Sequence, residues 1–202
     1  MLDSHVRPLI EAPLARMATG ARAVGLTANR VTLIGFLCGL ICFLFLAQGE
    51  YGAALVFMLA GRLLDGVDGA VARQSAKGAT DLGGFLDTVC DLIFYAGFPF
   101  FFAVGQPGAV MPAAFLVFSF MGTASSFLAY AVIAVKRGIN HEEQGKKSYF
   151  YLGGLAEGTE TMIAFTLICL LPGHFGMIAS LFGALCWLTT AGRVMQGVRD
   201  FG

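Results

Sequence analysis

The chain has 202 residues, 57% of them hydrophobic and only 13% charged, with thirteen Lys and Arg balancing thirteen Asp and Glu. That charged share is about half of what a soluble domain carries, which excludes a disordered chain, a nucleic-acid-binding protein and a charged scaffold. The apolar runs are too long and too uniform for a soluble core and read as membrane spans.

Residues 1–28 form a first segment, in which Arg7, Arg16 and Arg22 alternate with Val6, Leu9, Ile10, Leu14 and Met17. This pattern predicts an amphipathic helix on the membrane surface, made irregular by Pro8 and Pro13. No short apolar core with a small-residue cleavage site opens the chain, so it does not read as a signal peptide. Gly25 and Thr27 break and restart the chain. Residues 29–202 are then expected to form six membrane spans, near 29–48, 52–74, 80–104, 109–135, 154–171 and 175–197. The predicted fold class is therefore an all-α, multi-pass integral membrane protein: six transmembrane helices plus the surface helix.

The basic residues orient this arrangement. Arg7, Arg16, Arg22 and Arg30 precede the first span, and Arg73 and Lys77 lie between the second and third. Lys136, Arg137, Lys146 and Lys147 lie between the fourth and fifth, and Arg193 and Arg199 close the chain. Twelve of the thirteen thus fall on one side, and both termini are expected in the cytoplasm. The five cysteines lie singly within apolar runs and read as small buried hydrophobes. Phenylalanine, at 19 residues, reads as core and lipid-facing bulk.

The remaining charges lie inside the membrane. The second span contains Arg62, Asp65, Asp68 and Arg73, and the third contains Asp87 and Asp91, with Asp81 at its start as a candidate helix cap. A charge at the bilayer centre costs at least ~2.5–3.5 kcal/mol, so these residues are expected to face a protein cavity. At about 100° per residue, Asp65, Asp68, Gly69, Ala72, Arg73 and Arg62 share one helix face, and Asp87 and Asp91 lie about 40° apart on theirs. Two carboxylates from each of two helices can build a hard, all-oxygen site that suits Mg²⁺, Mn²⁺ or Ca²⁺, with room for two ions. Such a site suits phosphoryl transfer. Gly69 and Ala72 would let a ligand reach the backbone, and Arg62 and Arg73 can grip phosphate oxygens as planar forks.

Residues 65–91, DGVDGAVARQSAKGATDLGGFLDTVCD, resemble the signature of the CDP-alcohol phosphatidyltransferase family, D-x-x-D-G-x-x-A-R followed by G-x-x-x-D-x-x-x-D. The matching residues are Asp65, Asp68, Gly69, Ala72, Arg73, Gly83, Asp87 and Asp91. Nine residues separate Arg73 from Gly83 where the family has about eight, and the extra one falls in the loop around Gly78. The resemblance implies metal ligation by Asp65, Asp68, Asp87 and Asp91, with Asp91 also the general base. It implies a CDP pocket formed by Asp65, Gly69, Ala72, Arg73 and Gly83. It implies transfer of a substituted phosphate from a CDP-alcohol, CDP-diacylglycerol in bacteria, to an acceptor alcohol with release of CMP. It also implies a homodimer among membrane lipids. The SYFYLGGLAEGTET stretch is similar to bacterial inner-membrane members of the family.

That stretch also bears on the acceptor, since the family's acceptor pocket lies in this region. Glu157 and Glu160 stand three residues apart, with Lys146 and Lys147 upstream. Two acids at that place favour a neutral or cationic alcohol over a sugar phosphate. The competing class is a divalent-cation transporter or channel built on the same intramembrane acids. No second copy of the acidic motif is present, as an inverted repeat would require.

Overall fold

The computed structural model describes residues 3–76, 78–138 and 155–202. Among them are seven α-helices and no strand. They are α1 (Asp3–Ala23), α2 (Ala28–Ala47), α3 (Tyr51–Gln74), α4 (Asp81–Gly105), α5 (Val110–Lys136), α6 (Gly158–Leu170) and α7 (Phe175–Phe201). Short 3-10 turns opened by Pro107 and Pro172 lead into α5 and α7. The chain divides into two compact units, Ser4–Val110 and Met111–Gly202.

Four segments are long and apolar enough to cross a bilayer: Ala28–Ala47, Asp81–Gly105, Pro107–Lys136 and Pro172–Phe201. Helix α3 has 24 residues, about 36 Å, but carries four charged side chains. Helix α6 has only 13 residues. The outward faces are apolar: on α2, Leu33, Leu37, Leu40 and Leu44 recur at helical spacing, each at least 40% exposed. In water such a stripe would be buried; in lipid it is the solvated face.

In the first unit, α2 and α3 meet where both helices have glycine. A Cβ on Gly61 would lie 3.0 Å from the Gly35 carbonyl oxygen, and one on Gly35 would lie 3.2 Å from that of Gly61. Backbone-to-backbone contact at this point brings the two helices close enough for their polar residues to touch. Below it, Phe43 stacks on Phe94 and Phe101 with centroids at 5.7 and 4.9 Å, joining α2 to α4.

Helix α1 differs from expectation. It runs unbroken through Pro8 and Pro13, although each proline forfeits one backbone hydrogen bond. Leu14 and Ala18 are buried with Val31, Val67, Ala70 and Val71. Leu14 fits over Gly66, where a Cβ would stand 3.1 Å from its Cδ1. Gln74 of α3 donates to the Ala15 carbonyl at 2.9 Å. Helix α1 is thus docked on α3. The turn after it passes through Gly25 at φ 78°, and Thr27 is the N-cap residue of α2, in extended conformation and without a side-chain cap bond.

In the second unit, Thr123, Ser125 and Ser126 of α5 each donate to a carbonyl of their own helix. Arg193 of α7 donates to the Thr123 carbonyl at 3.0 Å and lies over Phe127. Trp187, half-buried, packs on Phe118. Tyr130 donates to Asp200 at 2.5 Å, and Arg137 donates to the Asp200 and Phe201 carbonyls, fastening the end of α7 to α5.

Candidate active site

The intramembrane acids converge. Side-chain oxygens of Asp65, Asp87 and Asp91 all lie within 4.8 Å of one another. Asp65 comes from α3, and Asp87 and Asp91 from adjacent turns of one face of α4, so the trio exists only because those two helices, each packed on α2, bring these side chains together. Around an octahedral Mg²⁺ adjacent oxygens are about 3 Å apart and opposed ones about 4.2 Å, so the three side chains would draw closer to share one ion. The donor set is entirely carboxylate oxygen, which suits a hard divalent cation.

The fourth acid, Asp68, stands apart from that trio. It is buried, and its Oδ2 accepts a hydrogen bond from the Thr32 hydroxyl at 2.5 Å. It also lines a cleft of about 650 Å³ enclosed by the α1–α2 turn, the C-terminal part of α3, the α3–α4 turn and the start of α4. Asp68, Gly69, Ala72, Gly83 and Asp87 all border this space. Small residues keep it open: a Cβ on Gly83 would meet Asn29 Oδ1 at 3.3 Å and Thr80 Oγ1 at 3.2 Å. Arg73 is exposed, and its Nη1 lies 3.3 Å from where a Cβ on Gly69 would stand.

The wall opposite the signature was not evident from sequence. Arg22, Thr27, Asn29 and Thr32 border the cleft from α1 and α2. The signal available was weak: polar Asn29 and Thr32 open an apolar span three residues apart, on one helical face.

Arg62 corrects the expectation of a phosphate contact. Its Nη1 donates to Oδ1 of Asp91 and lies 3.7 Å from Oδ2 of Asp65, so its charge is turned to the acids. Asp81 is likewise corrected as a cap. Thr80 is the N-cap of α4 and accepts from the Gly83 amide at 3.1 Å, while Asp81 is the first helical residue, where its charge still favours the helix dipole. The α3–α4 turn lies between Arg73 and Gly83. There Gly78 adopts φ 65° and Ser75 donates to the Ala72 carbonyl.

Glu157 and Glu160 have a local task. Glu157 is the N-cap of α6, its carboxylate accepts from the backbone at the third helical position, and Glu160 accepts from the Glu157 amide at 3.3 Å. This is a capping box, which satisfies two amides that the first helical turn leaves open. Lys146 and Lys147 lie outside the described residues.

The family model for CDP-alcohol phosphatidyltransferases matches residues 25–194, and the chain belongs to that family. It is 47% identical over 198 residues to inner membrane protein YnjF of Escherichia coli, covering 98% of this chain and 95% of that one. It is 36% identical over 103 residues to archaetidylinositol phosphate synthase of Pyrococcus horikoshii, covering 50% of this chain and 54% of the relative. The crystal structure of Mycobacterium tuberculosis phosphatidylinositol phosphate synthase with CDP-DAG bound has the same fold. The TM-score is 0.66 at 22% identity, over 90% of this chain and 92% of that one. The protein is accordingly an enzyme, an integral membrane transferase of phospholipid biosynthesis. The cation-transporter alternative falls with that membership.

Proposed function

We propose that the protein transfers the substituted phosphate of a CDP-alcohol, CDP-diacylglycerol in the cell, to the hydroxyl of an acceptor alcohol. The acceptor oxygen attacks the phosphorus bearing the lipid, its bond to the CMP oxygen breaks, and CMP leaves. Asp91 takes the hydroxyl proton. Asp65, Asp68, Asp87 and Asp91 would hold divalent metal, Mg²⁺ or Mn²⁺ and as many as two ions, which when bound neutralises pyrophosphate charge. Asp65, Gly69, Ala72, Arg73 and Gly83 would receive the CDP moiety, with Asn29 and Thr32 on the opposite wall.

The observation that carries this reading is the junction of two features on α3 and α4. A carboxylate cluster fit for a hard cation adjoins a cleft bordered by the small residues of the signature, and Asp87 belongs to both. A nucleotide in the cleft would thereby bring its pyrophosphate to the acids.

Around this centre we propose six spans, with α3 and α6 crossing alongside the four apolar segments, and both termini cytoplasmic. Residues 1–28 would lie at the membrane surface ahead of the 29–202 transferase domain, and the enzyme would be a homodimer. The α6 start, Glu157 and Glu160, with Lys146 and Lys147 upstream, would flank a pocket for a neutral or cationic alcohol.

The test is CMP release by the purified full chain from labelled CDP-diacylglycerol with Mg²⁺ or Mn²⁺ and a panel of alcohols and alcohol phosphates. Metal-dependent release with one acceptor class supports the reading. No release with any acceptor overturns it. Wild-type turnover of glycerol 3-phosphate by Glu157→Ala overturns the acceptor assignment alone.

A further inference from the structure

Arg62 is absent from the family signature, yet it is built into the carboxylate site. It stands on α3 one turn before Asp65. Its Nη1 donates to Asp91 across the α3–α4 interface and lies 3.7 Å from Asp65. The flat guanidinium covers the Phe94 ring at 4.9 Å, with Tyr95 at 6.0 Å. Its Nε is buried and has no hydrogen-bond partner among the described residues. The side chain is 16% exposed, against 31% for Asp65 and 28% for Asp91. The arginine therefore lies deeper than the acids it serves, clamped between two aromatic rings and two carboxylates.

We propose that Arg62 is a positioning residue for this site: it holds Asp91 from the aromatic side, and it is the resident cation against which a divalent ion must bind. The proposal rests on the transferase reading above for its kinetic part only. A guanidinium bonded to one carboxylate oxygen fixes the direction of the other, and such orientation is worth orders of magnitude in rate for a group that must meet a reacting atom. The same fixed positive charge, beside two of the prospective ligands, repels a dication in a poorly solvated setting. Asp91 is thereby held ready at the expense of metal affinity.

The two effects separate experimentally, because loss of the arginine moves them in opposite directions. Mn²⁺ binding to the solubilised, nucleotide-free full chain is titrated by electron paramagnetic resonance beside steady-state CMP release. Arg62→Gln is expected to bind Mn²⁺ at least tenfold more tightly while kcat falls at least tenfold and KM for CDP-diacylglycerol stays within threefold. Arg62→Lys, which keeps the charge and loses the fork, is expected to keep Mn²⁺ affinity within threefold and still lose kcat. A Gln variant that binds Mn²⁺ no more tightly than wild type, or either variant at wild-type kcat, overturns the proposal. If the Gln variant does not fold, the Lys variant decides it: full kcat, or Mn²⁺ affinity changed beyond threefold, overturns it. Wild-type protein that releases no CMP overturns the transferase reading instead, and the Mn²⁺ comparison still decides whether Arg62 is the resident cation.

Discussion

Thr32 of α2 donates its hydroxyl proton to Oδ2 of Asp68 on α3 at 2.5 Å, and each residue is only 6% exposed. The bond crosses the helix pair joined at Gly35 and Gly61, and it fixes a cleft-facing carboxylate. A hydrogen bond to a charged group contributes about 1.5–3 kcal/mol. Thr32→Val, which keeps the shape and removes the donor, should therefore lower stability by about that amount and raise KM for the CDP donor. Thr32→Ser should stay near wild type. Thermal unfolding in detergent and CMP-release kinetics check both.

Asp91 and its neighbours should separate metal binding from chemistry. Loss of a positioned general base costs about 10²–10⁴ in rate. Asp91→Asn should thus lose at least about a hundredfold in kcat while weakening Mn²⁺ binding less than Asp65→Asn or Asp87→Asn does. Equal loss of binding and turnover in Asp91→Asn would remove its assignment as base.

The α2–α3 contact should be intolerant of side chains. A Cβ on Gly61 meets a helix carbonyl at 3.0 Å, and a helix backbone cannot swing aside as a flexible side chain would. Gly61→Val should cost about 1–3 kcal/mol through overpacking, read as a lower unfolding temperature. Gly52, with no atom within 4 Å of its Cβ position, is the matched control and should accept Ala without loss.

Gly83 should act on the donor rather than on the fold. A side chain there enters the cleft between Thr80 and Asn29. Gly83→Val should raise KM for CDP-diacylglycerol at least tenfold, with Mn²⁺ affinity in the absence of nucleotide unchanged. Parallel loss of metal binding would show that the cleft and the acid cluster are not separable.

Chelation completes the set. EDTA should abolish CMP release, and Mg²⁺ or Mn²⁺ should restore it, as expected for an oxygen-only donor set. Activity that survives exhaustive chelation would contradict a metal role for Asp65, Asp87 and Asp91.

By itself the sequence determined the all-helical membrane character and the positions of Asp65, Asp68, Asp87 and Asp91 on two faces. Long apolar runs can be satisfied only by helices in lipid, and three- or four-residue spacing places side chains on one side of a helix. What a residue meets across an interface is not encoded in that spacing. Only the placement of α3 and α4 on α2 showed that Arg62 bonds to Asp91, and only the packing of α2 against α3 brought Thr32 to Asp68. The same holds for α1, whose apolar residues read as a lipid-facing stripe until Leu14 was found seated over Gly66. Glu157 and Glu160 carried a legible capping spacing that their charge obscured. In each case a local pattern specifies a face. The partner depends on how closely neighbouring backbones approach, and in the α1–α4 unit the glycines at Gly35, Gly61 and Gly66 decide that distance.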